Sequence, residues 1–535
     1  MRFLTHGVRP LATSALAALL LAQPASGQQP LPRAQRPGRV ATPTAVSPAS
    51  APLPAPAPMS AAAAKAARDY DPQRLLAGHL LRRIGFGPTP KEVDNVLKVG
   101  MTTYIEQQLD PAKIDDSAAE ARLPKGSNNL YNDYKWITRW YTRMVVSRRQ
   151  LQEKMTLIWH EHFATSNAKV GTGFFMHEQE ELLRKDALGS FRQLLVDVST
   201  DKAMLIWLDN DDNSATEEDD DGNPIPPNEN YARELMQLFS LGTTRLNMDG
   251  TPVLDGRGLP VPNYTEDDVK AVARAISGFY VDYRTRKTVF LPYQHDSSDK
   301  VILGETLHGR SGQDGAHEVD DVIGIIMRQP SVAPFISKEL IEKLATETPT
   351  PGYVERVATV FKTTDGDLKA TVRAILTDSE FTSDAVVRSQ FKEPIEHFVG
   401  PIRALDGKTK GAAFIPFCIA AKQLIYYPPS VFSFYRPGQK GSLVNTALAT
   451  IRDSIADAIV TGFYDTSFDA VKLIRKNRLT TPEQTVDYLS DVLLAAPLDP
   501  QVRERIVQYM DGRVDEEKFR GAVWLVLVSP DFQRN

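Results

Sequence analysis

Apolar positions recur at three- and four-residue steps along most of the chain from Asp71 onward. This is the spacing that gives a helix one buried face. Leu75, Leu76, His79, Leu80 and Arg83 share such a face, and Gly85-Phe86-Gly87-Pro88 ends it. Thr89 is placed to cap a second helix running through Lys98, with Gly100 closing it. Leu151, Met155, Trp159 and Phe163 stand at i+4 steps, so residues 134–164 predict one or two long helices, and residues 190–208 another. Asn228 is an N-cap residue for a helix whose apolar face is Tyr231, Leu235 and Leu238. Thr265, with Asp268 at the N3 position, caps the next, whose inward face is Val269, Val272, Ala273 and Ile276. Between Gly242 and Val319 the chain is rich in Gly, Pro and Thr. Its β-branched pieces, such as Thr288-Val289-Phe290, predict loops with one or two short β-hairpins.

From Val319 to the end, helix follows helix. Val354–Phe381 and Val502–Phe532 echo each other as helix, turn, helix and a short tail ending in Phe. The fold class is therefore mainly α: one large multi-helix domain with long loops. Residues 70–330 form a helical core, and residues 331–535 form a C-terminal helical part packed with it as one unit.

The first 69 residues read differently. Arg2, His6 and Arg9 precede a short apolar run, Leu11–Ala22, and Ala25 and Gly27 fit a cut before Gln28. That is the layout of a secretory signal peptide over 1–27. The run is too short to span a bilayer, and no later segment is apolar for long enough. No Cys stands near the cut to carry a lipid. Residues 28–69 are rich in Pro, Ala and Gln, with Pro at 52, 54, 56 and 58. Such a stretch cannot bury a core and predicts a disordered spacer. The chain is thus expected in the periplasm or outside the cell.

Composition narrows the chemistry. Of 535 residues, 62 are Lys or Arg and 67 are Asp or Glu, a net charge of −5. No basic surplus is available to neutralise a nucleic-acid backbone. The single cysteine, Cys418, rules out an internal disulfide and any multi-cysteine metal site.

Three polar groups could carry function. Between Asp209 and Asp221, eight of thirteen residues are Asp or Glu. Asp209, Asp211, Asn213, Glu217 and Asp220 fall in an EF-hand-like register, although Ser214 stands where that loop needs Gly. They are the candidate calcium ligands; a solvated acidic loop is the alternative. The second group is Asn228, Glu229 and Asn230 with Arg233 and Glu234. Glu229 can pair with Arg233, and Asn230 with Glu234, at i+4 spacing. The third is the histidines. His160 and His162 project about 200° apart on a helix and cannot share one ion unless the helix ends there. His160, His162, His295 and Asp296, gathered by folding, would suit a transition metal.

The blocks Trp159-His160-Glu161-His162-Phe163, Asn228–Leu235 and Tyr264–Val269 follow one another. His295-Asp296 with Lys300, and Pro429–Phe432 with Tyr435-Arg436-Pro437, come after them. Together they resemble the exported bacterial family catalogued as domain of unknown function 1800, over nearly everything from Leu75 onward. The resemblance implies a single long domain, export, and a partner that is another exported protein encoded nearby. It implies no agreed activity. Two functions stay open. One is a metal-dependent enzyme on an envelope or extracellular polymer, with metal-activated water, and with His160, Glu234 and Arg233 catalytic, Glu234 as general acid or base and Arg233 holding an anion. The other is a non-enzymatic binding, assembly or scaffolding protein of the envelope with a structural calcium site.

Overall fold

Short polar caps set the helix boundaries. Thr89 and Thr265 each accept from the backbone N–H three residues on, and Glu92 and Asp268 reach back to them. These capping boxes start the Pro90–Val99 and Glu266–Ala275 helices as their spacing predicts. A computed structural model describes residues 70–216, 218, 221–223, 225–434 and 445–535. The expected signal peptide and Pro/Ala-rich spacer, Glu217, Asp220 and Tyr435-Arg436-Pro437 lie outside the described residues.

The fold is mainly α, with twenty-three α-helices among the described residues and two separate two-stranded antiparallel sheets. Phe279–Asp282 pairs with Lys287–Phe290, and Lys300–Ile302 pairs with Glu305–Leu307, so the loop-rich middle holds two hairpins. No helix among the described residues is long and apolar enough to cross a membrane.

Two boundaries differ from the periodicity. Residues 190–208 form two helices, Phe191–Ser199 and Lys202–Trp207. The Asp201 carboxylate accepts from Met204 N and starts the second afresh. The helix after Asn228 begins at Asn230, with Glu229 at the cap. Asn228 instead accepts from Asn230 N in a tight turn.

The apolar faces converge on one core that includes Trp140, Trp159, Tyr231, Phe239 and Tyr353, all buried. Helices from both sides of residue 330 share it: Lys154 on Gln150–Phe163 pairs with Glu396 on Pro394–Ala404 at 2.5 Å. The echoed hairpins are Pro351–Thr363 with Leu368–Thr377, and Pro500–Met510 with Glu516–Val528. Each tail ends in a buried Phe that packs on a buried histidine. Phe381 lies 4.7 Å from His79, and Phe532 lies 4.9 Å from His397. The repetition is therefore one of packing.

Candidate functional site

The polar signature is stitched into the acidic loop. Asp209 adopts a left-handed backbone and a 3₁₀ turn follows at Asn210–Asp212. Asn213 is buried. Its Nδ2 donates to Ala273 O at 2.9 Å and Asn210 Oδ1 at 3.0 Å, and its Oδ1 accepts from Asn228 N at 2.9 Å. Asn230 Nδ2 donates to Asp209 Oδ2 at 2.9 Å, and Lys169 Nζ donates to Asp209 Oδ1 at 2.6 Å. Of the candidate calcium ligands, Asp209 and Asn213 thus already hold protein partners through their side-chain oxygens. Burial, with Asp212 and Asp209 nearby, pushes the Asp211 carboxyl up to about 6.

Arg233 pairs with Glu229 at 2.9 Å, as the spacing predicts, and with Glu266 of the next helix at 2.7 Å. A guanidinium held by two carboxylates is a brace between helices and not a vacant anion clamp. Glu234 gains nothing from Asn230, which turns to Asp209. Its half-buried carboxyl is pushed up by burial, and its Oε2 is buried without a partner.

The structure keeps the histidines apart. His160 Nε2 accepts from Tyr426 N at 3.1 Å, and the ring lies among Trp140, Tyr426 and Phe434. Burial lowers its pKa to about 4 against the pull of Glu180. It is a neutral acceptor that anchors a turn. His162, on the other face of the same helix, contacts Phe239 O through Nε2 at 3.1 Å and Glu339 through Nδ1 at 2.9 Å. His295 Nδ1 faces Ser277 O and its Nε2 faces Glu318, both at 3.1 Å. Asp296 faces Arg274 at 3.3 Å and Ser298. Among the described residues, no three of His160, His162, His295 and Asp296 bring their ligand atoms within 4.8 Å of one another. Among the described residues, His177, Glu180 and Glu181 are the group close enough to share an ion. Arg184 and Tyr426 already occupy Glu180, and Arg184 also holds Glu181.

One member of the predicted set opens onto a cavity. It has a volume of about 350 Å³. It lies between the Gln150–Phe163 and Val332–Leu344 helices, the end of Asn230–Gln237 and the Val431–Ser433 turn. Trp159, Leu238, Phe335, Ile336, Leu340 and Phe432 make most of its wall. In that wall His162 contacts Glu339 at 2.9 Å, and Glu161 pairs with Lys343. A carbonyl only accepts, so His162 must carry its proton on Nε2 toward Phe239.

Glu342 differs from these. It lines the cavity, and its carboxyl makes no hydrogen bond or ion pair among the described residues. Burial pushes it up to about 7, with Glu339 and Glu347 adding to the rise and Lys338 and Lys343 opposing it. The sequence reading missed Glu339, Glu342 and Lys343. In sequence they look like the solvated stripe of an ordinary amphipathic helix. The one available signal was four charged positions, Lys338, Glu339, Glu342 and Lys343, interleaved with Phe335, Ile336 and Leu340.

Comparison with curated proteins and with solved structures finds no match. The family model described as protein of unknown function (DUF1800) matches residues 79–534, and the chain belongs to that family.

Proposed function

We propose that the chain is an exported binding protein, and that its cavity takes an apolar molecule carrying an amine or other cation. The observation that carries this reading is Glu342: an unpaired carboxyl in the wall of a largely apolar cavity whose other charges are paired or partnered. Small-molecule sites have this make-up, with an apolar wall and few polar groups that set orientation. Export is supported by the pattern of residues 1–27, and N-terminal sequencing of the secreted chain is expected to start at Gln28. A metal-dependent enzyme built on His160, His162, His295 and Asp296 lacks their convergence. An acid–base enzyme is the second reading, favoured by the position of Glu342 near 7, where a general acid works best.

The test uses three probes of one shape: 4-phenylbutylamine, 4-phenylbutanol and 4-phenylbutyrate, followed by calorimetry or ligand-observed NMR. Glu342 is raised, so its negative charge appears only as pH rises through about 7. The amine should bind roughly tenfold more tightly at about pH 8 than at about pH 6. Phenylbutyrate should weaken over the same range and phenylbutanol should stay level. Glu342→Gln should flatten all three. Equal amine affinity at both pH values would remove Glu342 from recognition, and absence of phenylbutanol binding would remove the cavity. Turnover of an amide or ester analogue, lost in Glu342→Gln, would favour the acid–base reading.

A further inference from the structure

Away from the cavity, the surface carries exposed tyrosines that the packing strings into a row. Tyr464, Tyr134, Tyr131, Tyr283 and Tyr280 are all exposed, Tyr464 by 81% and Tyr131 by 69%. Their order follows from backbone contacts. Gly411 lies so close to the Asp133–Val146 helix that a Cβ there would sit 2.2 Å from Thr138 O. The Asp465 carboxylate accepts from Ala412 N at 3.1 Å, which brings Tyr464 beside Tyr134, one turn before Thr138. Gly173 would place a Cβ 2.4 Å from the Cα of Asp133, which lies between Tyr131 and Tyr134. Phe174 N donates to Leu130 O at 3.0 Å. On the far side of this segment, Tyr283 packs on Phe175 at 5.7 Å and Arg286 covers Phe174 at 5.2 Å. Tyr283 lies within electrostatic reach of Tyr131, Tyr280 and the carboxylates Asp211 and Asp212. Tyr280 stands on the exposed side of the first hairpin strand, whose Phe279 and Val281 point inward.

We propose that this row binds a neutral polysaccharide, each tyrosine offering a ring face on which one sugar can lie. Among the described residues, the exposed aliphatics Leu254, Leu259 and Val301 belong to other segments, and Ile419 stands on the Phe414–Ala420 helix next to the Tyr464 end. An aromatic ring with a wet hydroxyl suits a partner that is apolar on one face and polar at its edges. Charge selects among such partners. Asp211 and Asp212 stand beside the basic turn of Arg284, Arg286 and Lys287. A rim with both signs offers donors and acceptors to hydroxyls without a net field. It complements a neutral polyol, and it lacks the basic stripe that a nucleic acid or an anionic membrane requires.

The test is retention of the purified chain on microcrystalline cellulose, insoluble chitin and an insoluble β-1,3-glucan. Retention on at least one is expected, and it should survive about 0.5 M salt, because stacking is not screened as ion pairing is. Tyr131→Ala/Tyr283→Ala/Tyr464→Ala should weaken it about tenfold or more, with the melting temperature kept. Tyr509→Ala, at an exposed tyrosine on the C-terminal Pro500–Met510 helix, should leave it unchanged. No retention on any of the three overturns the proposal, as does retention that the triple variant keeps. So does binding to anionic phospholipid vesicles alone.

Discussion

Replacing Arg184 by methionine is expected to lower the unfolding free energy by about 3–5 kcal/mol. Arg184 is buried on the Gly173–Asp186 helix and holds three carboxylates: Glu153 at 2.8 Å, Glu181 at 2.8 Å, and Glu180. Glu153 and Glu180 are themselves buried. Without the guanidinium they would face each other as uncompensated charges, which costs more than the ion pairs contribute. Burial alone would raise Glu180, but Arg184 and His177 outweigh it and hold the carboxyl well below the usual range. A depressed carboxyl adds stability above its unfolded pKa, and that stability is lost as pH falls toward the folded value. The variant should therefore lose the most at neutral pH and converge on the parent in acid. Urea unfolding at two pH values measures both. A variant in which Glu153, Glu180 and Arg184 become apolar together, with Tyr426→Phe to spare its hydroxyl an orphaned partner, should regain most of the loss. A drop under about 1 kcal/mol in Arg184→Met would show that water reaches the triad.

What the sequence made legible is what local chemistry decides. Thr89 with Glu92 and Thr265 with Asp268 are three apart, so their capping boxes can be read without knowing the fold. The opposed faces of His160 and His162 follow in the same way from helical geometry, and the structure keeps them opposed. Asp201 was harder, because a capping residue inside an apolar run looks like an exposed helical position until its carboxylate is seen on Met204 N. The cavity was not legible. Its charged wall comes from Glu161 and His162 on one helix and Glu339, Glu342 and Lys343 on another, with nearly two hundred residues between them. Their pairing is a long-range event. The partners of Asp209 were hidden for a related reason. Lys169 and the amide of Asn230 are remote in sequence or belong to another motif.

The block His295-Asp296 with Lys300 shows what such a motif can be for. Lys300→Met is expected to cost about 3–5 kcal/mol, measured by chemical denaturation. The Lys300 and Glu318 side chains are fully buried and meet at 2.8 Å. Glu318 also accepts from Arg310 N at 2.6 Å and contacts His295 Nε2 at 3.1 Å, and Lys300 donates to Asp296 O. Every polar atom of the cluster thus has a protein partner, joining the second hairpin, the 292–299 segment and the Glu318–Met327 helix. Burial works against the Glu318 charge, but His295 and Lys300 outweigh it and keep its carboxyl below the ordinary range. Its contribution is present above the usual glutamate pKa and fades as pH falls, so the loss in Lys300→Met should shrink in acid. His295→Gln keeps one donor in the cluster and should cost less than His295→Leu. If the motif instead held an ion, chelation would destabilise the parent chain and leave His295→Leu unmoved. If the cluster is the brace seen here, chelation shifts neither. The same pair of melts therefore separates a metal ligand from a histidine whose work is to keep Glu318 paired.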